Sequence, residues 1–571
     1  MKRLERYLHP YWGYILFTVF IKLSGSIMEL LIPYLMEIML DVKVPAGETS
    51  QIYLYGLLML LAAALCLILN IQANRMSARS SGNITLAIRH DLFVKLQSLS
   101  ARQMDSLTIS SAESRLTSDT YNVNQMLARI QRLGIRAPIL LVGGIAMMMG
   151  MDTTLALVLI VLLPLIAVVV YFVTKASIPL YTHQQTVLDR VVRTVQENIT
   201  GIRVIKALSK TEYEKQRFHG VNQDLTSVEM KAGTITGITN PASTLILNVG
   251  LTLVVIIGAF RVNSGAIQSG VIVAFLQYFT MIINAMLGVT RIFVMWSKGE
   301  ASAKRVADVL ELTEDLVTLP GDAPEKNAPH IEFRNVSFSY TGIGKNLDDL
   351  SFRLEKGQTL GILGPTGSGK STIINLLLRL YDPDSGCILI DGQDIRTIPP
   401  ETLRRKFGMV FQNDFVTEGT IGDNIRFFRD LPEEALTRAA RNAQADYITQ
   451  KGGMDASVTV RGNNLSGGQK QRLLIARALA SDPEILILDD ASSALDYQTD
   501  ANLRKALRSD YRNTTTVLVA QRISSLRHAD LILVLQEGHV IGAGNHAHLM
   551  EACEEYRHLA ITQMGDGKEA V

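Results

Sequence analysis

Six apolar runs of roughly bilayer-crossing length lie in the first half of this chain, and the second half has none. A spanning helix needs ~20 mostly apolar residues, because in hydrocarbon every backbone polar group must be bonded within the segment itself. The runs are Tyr14–Leu40, Tyr53–Ile71, Ile135–Met151, Thr153–Thr174, Leu245–Phe260 and Val271–Trp296. The third and fifth need their polar flanks, so spans are expected at about residues 14–40, 53–75, 135–151, 153–175, 241–261 and 271–297. Met147–Met149 and Asp152 mark a very short hinge between the third and fourth. The first run is too long for a signal peptide and carries Lys22, Glu29 and Glu37. Those charges are costly in hydrocarbon and are expected to face the interior or an interface. Asn70, Asn248 and Asn284 are expected to bond between helices.

Lys and Arg crowd two of the connecting segments. Arg75, Arg79, Arg89, Lys95 and Arg102 begin one; Arg190, Arg193, Arg203, Lys206 and Lys210 lie in the other. The opposite loops offer only Lys43 and Arg261. This bias puts both termini and both segments in the cytoplasm. Ser77–Arg102 and Thr182–Val204 keep apolar residues at three- and four-residue steps, which predicts helices running unbroken out of the bilayer. Met1–Pro10, with Lys2, Arg3 and Arg6 among Leu4 and Leu8, reads as a short amphipathic helix on the cytoplasmic surface of the membrane.

The texture changes after residue 312. Thr318–His330 carries Pro320, Gly321, Pro324 and Pro329 and is expected to be a linker. From Ile331, short β-branched runs such as Thr359–Leu363, Ile485–Leu488 and Thr515–Val519 alternate with helical stretches, which predicts an α/β domain. The expected organisation is therefore a membrane all-α domain over 1–312, a linker over 313–330 and a cytoplasmic α/β domain over 331–571. A net charge of +2 over 571 residues excludes the basic excess of a nucleic-acid binder. Three scattered cysteines exclude a disulfide framework or a cysteine zinc site.

Three motifs carry chemistry. Gly364-Pro365-Thr366-Gly367-Ser368-Gly369-Lys370-Ser371 matches the phosphate-binding loop completely, between the strand-like Thr359–Leu363 and a helical run that starts at Thr372. Glycines let the backbone wrap a triphosphate with its N–H groups inward; Lys370 reaches the phosphates and the Ser371 hydroxyl holds Mg²⁺. Ile485–Asp490 is an apolar strand ending in two carboxylates, of which Asp489 is the natural Mg²⁺ holder. Leu465-Ser466-Gly467-Gly468-Gln469 forms a second small loop at a helix N-terminus.

The order of these motifs resembles the nucleotide-binding domain of ABC transporters. Six spans with long cytoplasmic extensions ahead of that domain resemble an ABC exporter half-transporter, across essentially the whole chain. The stretch from Glu197 through Gly201, Arg203 and Lys206 to Ala207 is similar to the turn between the fourth and fifth spans of such exporters. The resemblance implies that Tyr340 stacks on adenine and that Gln412 senses the γ-phosphate and Mg²⁺. It implies that Ser493 and Asp496 form a loop communicating between two ATP sites. It also implies a head-to-tail dimer, in which Ser466–Gln469 complete the partner's site. Short helices touching the ATPase domains are expected near Leu107–Glu113 and Lys210–His219, the second on the partner's domain.

Two residues depart from that family's pattern. The hydrolytic glutamate is Asp490 here, and the switch histidine is Gln521. An aspartate carboxylate is withdrawn by ~1.5 Å, and ~1 Å of misplacement can cost ~10²-fold. Glutamine cannot take a proton or a charge near pH 7. In addition Val460 stands where the family has a glutamate before the signature loop, which bears on cross-talk with the second short helix. The resulting expectation is one half of an ATP- and Mg²⁺-dependent exporter in the cytoplasmic membrane. Its partner is a different half-transporter that holds the glutamate and histidine. Its cargo is a hydrophobic or amphipathic small molecule, lipid or peptide, with Met147–Met149, Met281, Met286, Met295, Phe275, Tyr278, Phe279 and Phe293 either lining a cavity or packing between helices. The rival readings are an importer with an exporter-type fold and an ATP-gated regulatory subunit.

Overall fold

The computed structural model describes residues 2–321, 325, 328–412 and 415–564. The chain divides into two compact units: Met1–Gln97 with Ser110–Leu312, and Ser98–Ile109 with Thr313–Val571.

Among the described residues of the first unit, six helices are long and apolar enough to cross a membrane. Their cores are Trp12–Ile38, Thr49–Ser98, Ile135–Met151, Thr153–Thr200, Thr239–Asn263 and Ser269–Leu310. The 50 residues of Thr49–Ser98 extend ~75 Å at 1.5 Å per residue, far past any hydrocarbon layer. Thr153–Thr200 likewise continues through Pro164 and Pro179. Asp152 makes the hinge by capping the next helix, its carboxylate accepting from the Leu155 N–H at 2.8 Å. Arg261 pairs with the same carboxylate at 2.6 Å.

Packing decides what the apolar and charged residues of the spans do. Phe275, Tyr278 and Phe279 are wholly buried among the helices, as is Met148. Tyr278 donates its hydroxyl to the Leu30 carbonyl at 2.6 Å. A Cβ on Gly250 would lie 2.3 Å from the Phe279 ring, so that glycine permits the close approach of two spans. These aromatics pack between helices; the Phe293 side chain lies outside the described residues. Lys22 is buried and donates to Asn70 at 2.6 Å. Glu29 takes a two-pronged bond from Arg136, at 2.6 and 3.1 Å. Asn248, by contrast, is exposed.

The N-terminal segment corrects one expectation. Leu4 and Tyr7 are buried against protein. Arg3 pairs with Asp308 at 2.7 Å, and Tyr7 donates to Asp91 at 2.8 Å. The helical period found the apolar face correctly, but other helices cover that face rather than lipid.

The second unit holds two main sheets. The strands are β1 Ile331–Phe338, β2 Leu347–Leu354, β3 Thr359–Leu363, β4 Ser385–Ile390, β5 Gln393–Asp394, β6 Phe407–Val410, β7 Gly419–Thr420, β8 Ser457–Val458, β9 Ile485–Asp489, β10 Thr515–Val519, β11 Leu531–Gln536 and β12 His539–Gly544. An antiparallel sheet has the order β2-β1-β4-β5. A six-stranded sheet runs β12-β11-β3-β10-β9-β6, parallel except for β12. Every residue of β9 is buried, as the continuous apolar run Ile485–Leu488 predicts for a strand covered on both faces.

Two segments sit differently from expectation. The first short helix is Ala101–Leu107, six residues upstream of the predicted one, and it belongs to the second unit. Ser100 and Gln103 form a capping box that starts it. Arg102 lies 3.6 Å from Asp384. At the other turn the short helix is Ile202–Ala207, while residues 211–219 already belong to the long helix Thr211–Gly237. The expected linker is tied down where it is described: Arg379 donates to the Val317 carbonyl at 2.8 Å, and the Leu319 N–H bonds to Arg396 at 2.9 Å. Pro324 lies outside the described residues.

Candidate functional site

The parallel sheet creates the site at the carboxyl ends of β3, β9 and β10. Leaving β3, the chain turns through Gly364–Gly369 into the helix Lys370–Leu377. Gly367 and Gly369 sit at φ +86° and +103°, a region that side chains strain to enter. A Cβ on Gly364 would lie 2.4 Å from the Leu535 carbonyl. Lys370 folds back over the loop, donating to the carbonyls of Gly364 at 2.9 Å and Pro365 at 2.6 Å. The helix start aims free N–H groups at the loop.

A cleft of about 310 Å³ opens there. Its walls include Thr366, Gly367, Gly369, Lys370, Ser371 and Thr372 from the loop, and Tyr340 and Gln412 from elsewhere. Asp489, Asp490 and Gln521 close the far side. Strand pairing explains this convergence: Asp489 of β9 is in register with Val519 of β10, and the Asp490 N–H bonds to the Val519 carbonyl at 3.0 Å. Gln521, two positions beyond, therefore reaches the same cleft. Asp490 sits at φ +51°, a left-handed backbone that aspartate tolerates at a cost of order 1 kcal/mol.

The electrostatics are those of a half-buried charged site. The Ser371 hydroxyl donates to Asp489 at 3.3 Å. Burial pushes the Asp489 carboxyl above the usual carboxylate range, and that hydrogen bond and Lys370 oppose the shift. Burial raises Asp490 too, against the pull of Lys370 and Arg522. Burial lowers Lys370, with both aspartates holding it up. The donors fit the expected ligands. Ser371, Asp489 and Gln412 offer the oxygen atoms a hard divalent cation prefers. The Ser368 hydroxyl is buried without a partner, inside a loop shaped to present hydrogen atoms to phosphate.

Tyr340 edges the cleft. Its hydroxyl accepts from Asn375 at 3.0 Å and its ring packs edge-on against Phe338 and Tyr381. Ser466–Gln469 do not line this cleft. They open the helix Gly467–Leu479 with a capping box, in which Ser466 and Gln469 bond to each other's backbone. Ser493 donates to the Asp490 carbonyl at 2.9 Å, and Asp496 caps the helix Tyr497–Asp510. Ser493 thus holds the backbone of Asp490.

Three participants escaped sequence reasoning. Asn346 lines the cleft and accepts from the Tyr340 N–H at 3.0 Å. Gln471 bridges the Asp490 carbonyl, at 3.1 Å, and the Ala494 N–H, at 2.9 Å, tying the helix Gly467–Leu479 to the loop after β9. Gln563 donates to the Gln521 carbonyl at 3.0 Å and accepts from the Ile523 N–H at 2.8 Å, fixing the segment 521–523. Only the position of Gln471, two residues after Gln469, hinted at a role.

Comparison with known proteins agrees with this geometry. Residues 15–286 match the family described as ABC transporter transmembrane region, and residues 347–493 match ABC transporter. The chain is 33% identical to an uncharacterized ABC transporter ATP-binding protein, YfiB, of Bacillus subtilis, over 100% of both chains. It is 33% identical to a fatty acid ABC transporter ATP-binding/permease protein of Mycobacterium bovis, over 87% of this chain and 78% of that one. Among solved structures it resembles a bacterial Atm1-family ABC exporter with ATP bound, with a TM-score of 0.81, 26% identity, and coverage of 98% of this chain and 99% of that one.

Proposed function

This chain belongs to the ABC transporter family, as an exporter-type half-transporter with membrane region and transport ATPase on one polypeptide, and we propose that it is the degenerate-site half of a heterodimer that moves a hydrophobic or amphipathic cargo out of the cytoplasm. One observation carries the reading. The two weakened groups, Asp490 and Gln521, face the same cleft as an intact Lys370, Ser371 and Asp489, while the capping box at Ser466 is complete. Loss at one site beside integrity at the other fits a division of labour between two chains.

Each residue then has a task. The loop Gly364–Gly369 and Lys370 bind the triphosphate, and Tyr340 packs against the base. Ser371, Asp489 and Gln412 hold Mg²⁺, whose chemistry is to neutralise charge on the phosphate oxygens. Asp490 accepts a proton from water poorly, being short, and Gln521 holds the γ-phosphate only by hydrogen bonds. Ser466–Gln469 present a helix N-terminus to the partner's nucleotide. The ATPase unit and both termini lie in the cytoplasm, a reading supported by the Lys/Arg bias of the long segments.

The test is steady-state ATP turnover of the purified full-length chain alone and with its co-purified partner. Slow turnover with retained ATP binding is expected for the chain alone. A brisk, vanadate-sensitive rate from a verified homodimer overturns the heterodimer.

A further inference from the structure

The membrane unit contains a strongly cationic cavity that neither the ATP chemistry nor the packing of the spans explains. It measures about 470 Å³ and is lined by Lys22, Arg129, Arg132 and Arg136, with Asn74 and Asn124 beside them and no carboxylate in its wall. It shares Leu133 and Arg136 with a smaller pocket of about 180 Å³, whose other walls include Leu140, Met281 and Ala285. Glu29 lines that smaller pocket and pairs with Arg136.

The arginines converge for a local reason. Arg129, Arg132 and Arg136 follow at three- and four-residue steps, and all three line the cavity. Between them the segment Ile130–Gly134 is wound as a π-helix, a local irregularity frequent at functional sites. Arg132 gives one bond to the Asn74 carbonyl at 3.2 Å, and its Nε is buried with no partner. Lys22 is buried in the first span, where its ammonium donates to a neutral amide, Asn70. A buried cation such as Lys22, placed within a span, is costly without counter-charge and persists where an anion completes it.

Polarity is graded along the cavity. Asn74 lies just past the apolar run Tyr53–Ile71, where the spans pass into their polar extensions. Leu140 and Met281 lie within the spans, and Leu140 is about 12 Å along the helix from Arg132 at 1.5 Å per residue.

We propose that this double cavity binds the cargo, and that the cargo is an anionic amphiphile. A carboxylate or phosphate head group sits among Lys22, Arg129 and Arg132, and an apolar tail lies toward Leu140 and Met281. The guanidinium fork suits either head group, by paired hydrogen bonds. The proposal rests on the transporter reading above and narrows its cargo class.

The test uses the full-length chain in phosphatidylcholine nanodiscs, with empty nanodiscs as the partition control. Oleate, oleyl phosphate, oleyl alcohol and oleylamine compete against a dansyl-labelled fatty acid. Oleate or oleyl phosphate is expected to bind at least tenfold tighter than the alcohol and the amine, and the tighter of the two identifies the head group. Arg132→Gln and Lys22→Gln are each expected to weaken the anion about tenfold without changing the alcohol. Arg132→Lys keeps the preference, and Arg132→Glu turns it toward oleylamine, an inversion that a structural role alone does not produce. Should the reversal fail to insert, Lys22→Gln carries the same comparison. Equal binding of all four head groups, or a preference untouched by Arg132→Gln and Lys22→Gln, overturns the proposal. ATP turnover of the co-purified complex, measured in the same discs, separates the two readings. Turnover without anion selectivity removes this inference alone. Selective anion binding without turnover keeps the cavity and removes the transporter reading.

Discussion

Tyr381 donates its phenolic hydrogen to Asp105 at 2.5 Å, joining residues 276 positions apart in the chain. Asp105 lies on the short helix Ala101–Leu107, and the Tyr381 ring packs edge-on against Tyr340, which borders the nucleotide cleft. Burial and the neighbouring carboxylate both push the Tyr381 hydroxyl upward, so it stays a donor through the physiological range. The contact links cleft and helix through two rings and one charge-assisted bond. Tyr381→Phe is expected to leave ATP turnover within about twofold and lower cargo movement about tenfold, since a bond to a charged group contributes roughly 1.5–3 kcal/mol. Both rates are measured in the same vesicles. Parallel losses would make Tyr381 a folding residue only.

Asp490→Glu alone is expected to restore little, because in the proposed degenerate site Gln521 still fails to hold the attacking water. Asp490→Glu with Gln521→His should raise turnover by more than the two single changes combined, since groups acting as a unit are non-additive. The four turnover rates of this cycle decide it. A double variant no better than either single one places the defect elsewhere, with exposed Val460 the first residue to examine.

In the co-purified pair, Ser466→Arg should nearly abolish turnover by putting a bulky side chain where the partner's γ-phosphate docks. Asp490→Asn should cost far less, because in the proposed heterodimer that carboxylate contributes little. Ser466 is exposed at its helix start, so a melting curve is expected to be unchanged. A larger loss from Asp490→Asn would make this chain's own cleft the hydrolytic one.

Stability should fall with acid through His330. The ring is buried and its Nδ1 lies 2.6 Å from the Thr515 hydroxyl. Burial lowers its pKa from 6.5; Asp391 and Glu484 oppose that shift, and Lys356 and Lys406 add to it. A depressed histidine contributes stability that is present above about pH 6.5 and lost as pH drops through the lower folded value. Melting temperatures at pH 8, 7, 6 and 5 should therefore fall less below pH 6.5 in His330→Gln than in the parent. Identical pH slopes would clear His330 of the effect.

How much of this was readable in advance depended on distance along the chain. The phosphate loop is local: glycines at Gly367 and Gly369 meet a backbone need within a few residues, so the motif announced its own geometry. The apolar runs likewise announced their helices, because bilayer thickness sets a length and composition that no neighbour has to supply. The capping box at Ser100 and Gln103 was local too, and it marks the start of the short helix that was expected six residues later.

The sequence by itself therefore determined the six long helices, the α/β alternation, the nucleotide loop and the two residues, Asp490 and Gln521, that depart from the resembled pattern. Tertiary structure alone decided what those groups face. Parallel pairing of β9 with β10 brings Asp490 and Gln521 to one cleft. Packing of spans sets Lys22 against Asn70, 48 positions away, and Arg136 against Glu29, 107 positions away. It also turned the apolar face of Leu4 and Tyr7 toward protein instead of lipid. The physical reason is common to all three. A period or a propensity states which face of an element avoids water. The partner that covers that face is chosen by contacts between distant segments, and such contacts leave no periodic trace in the chain.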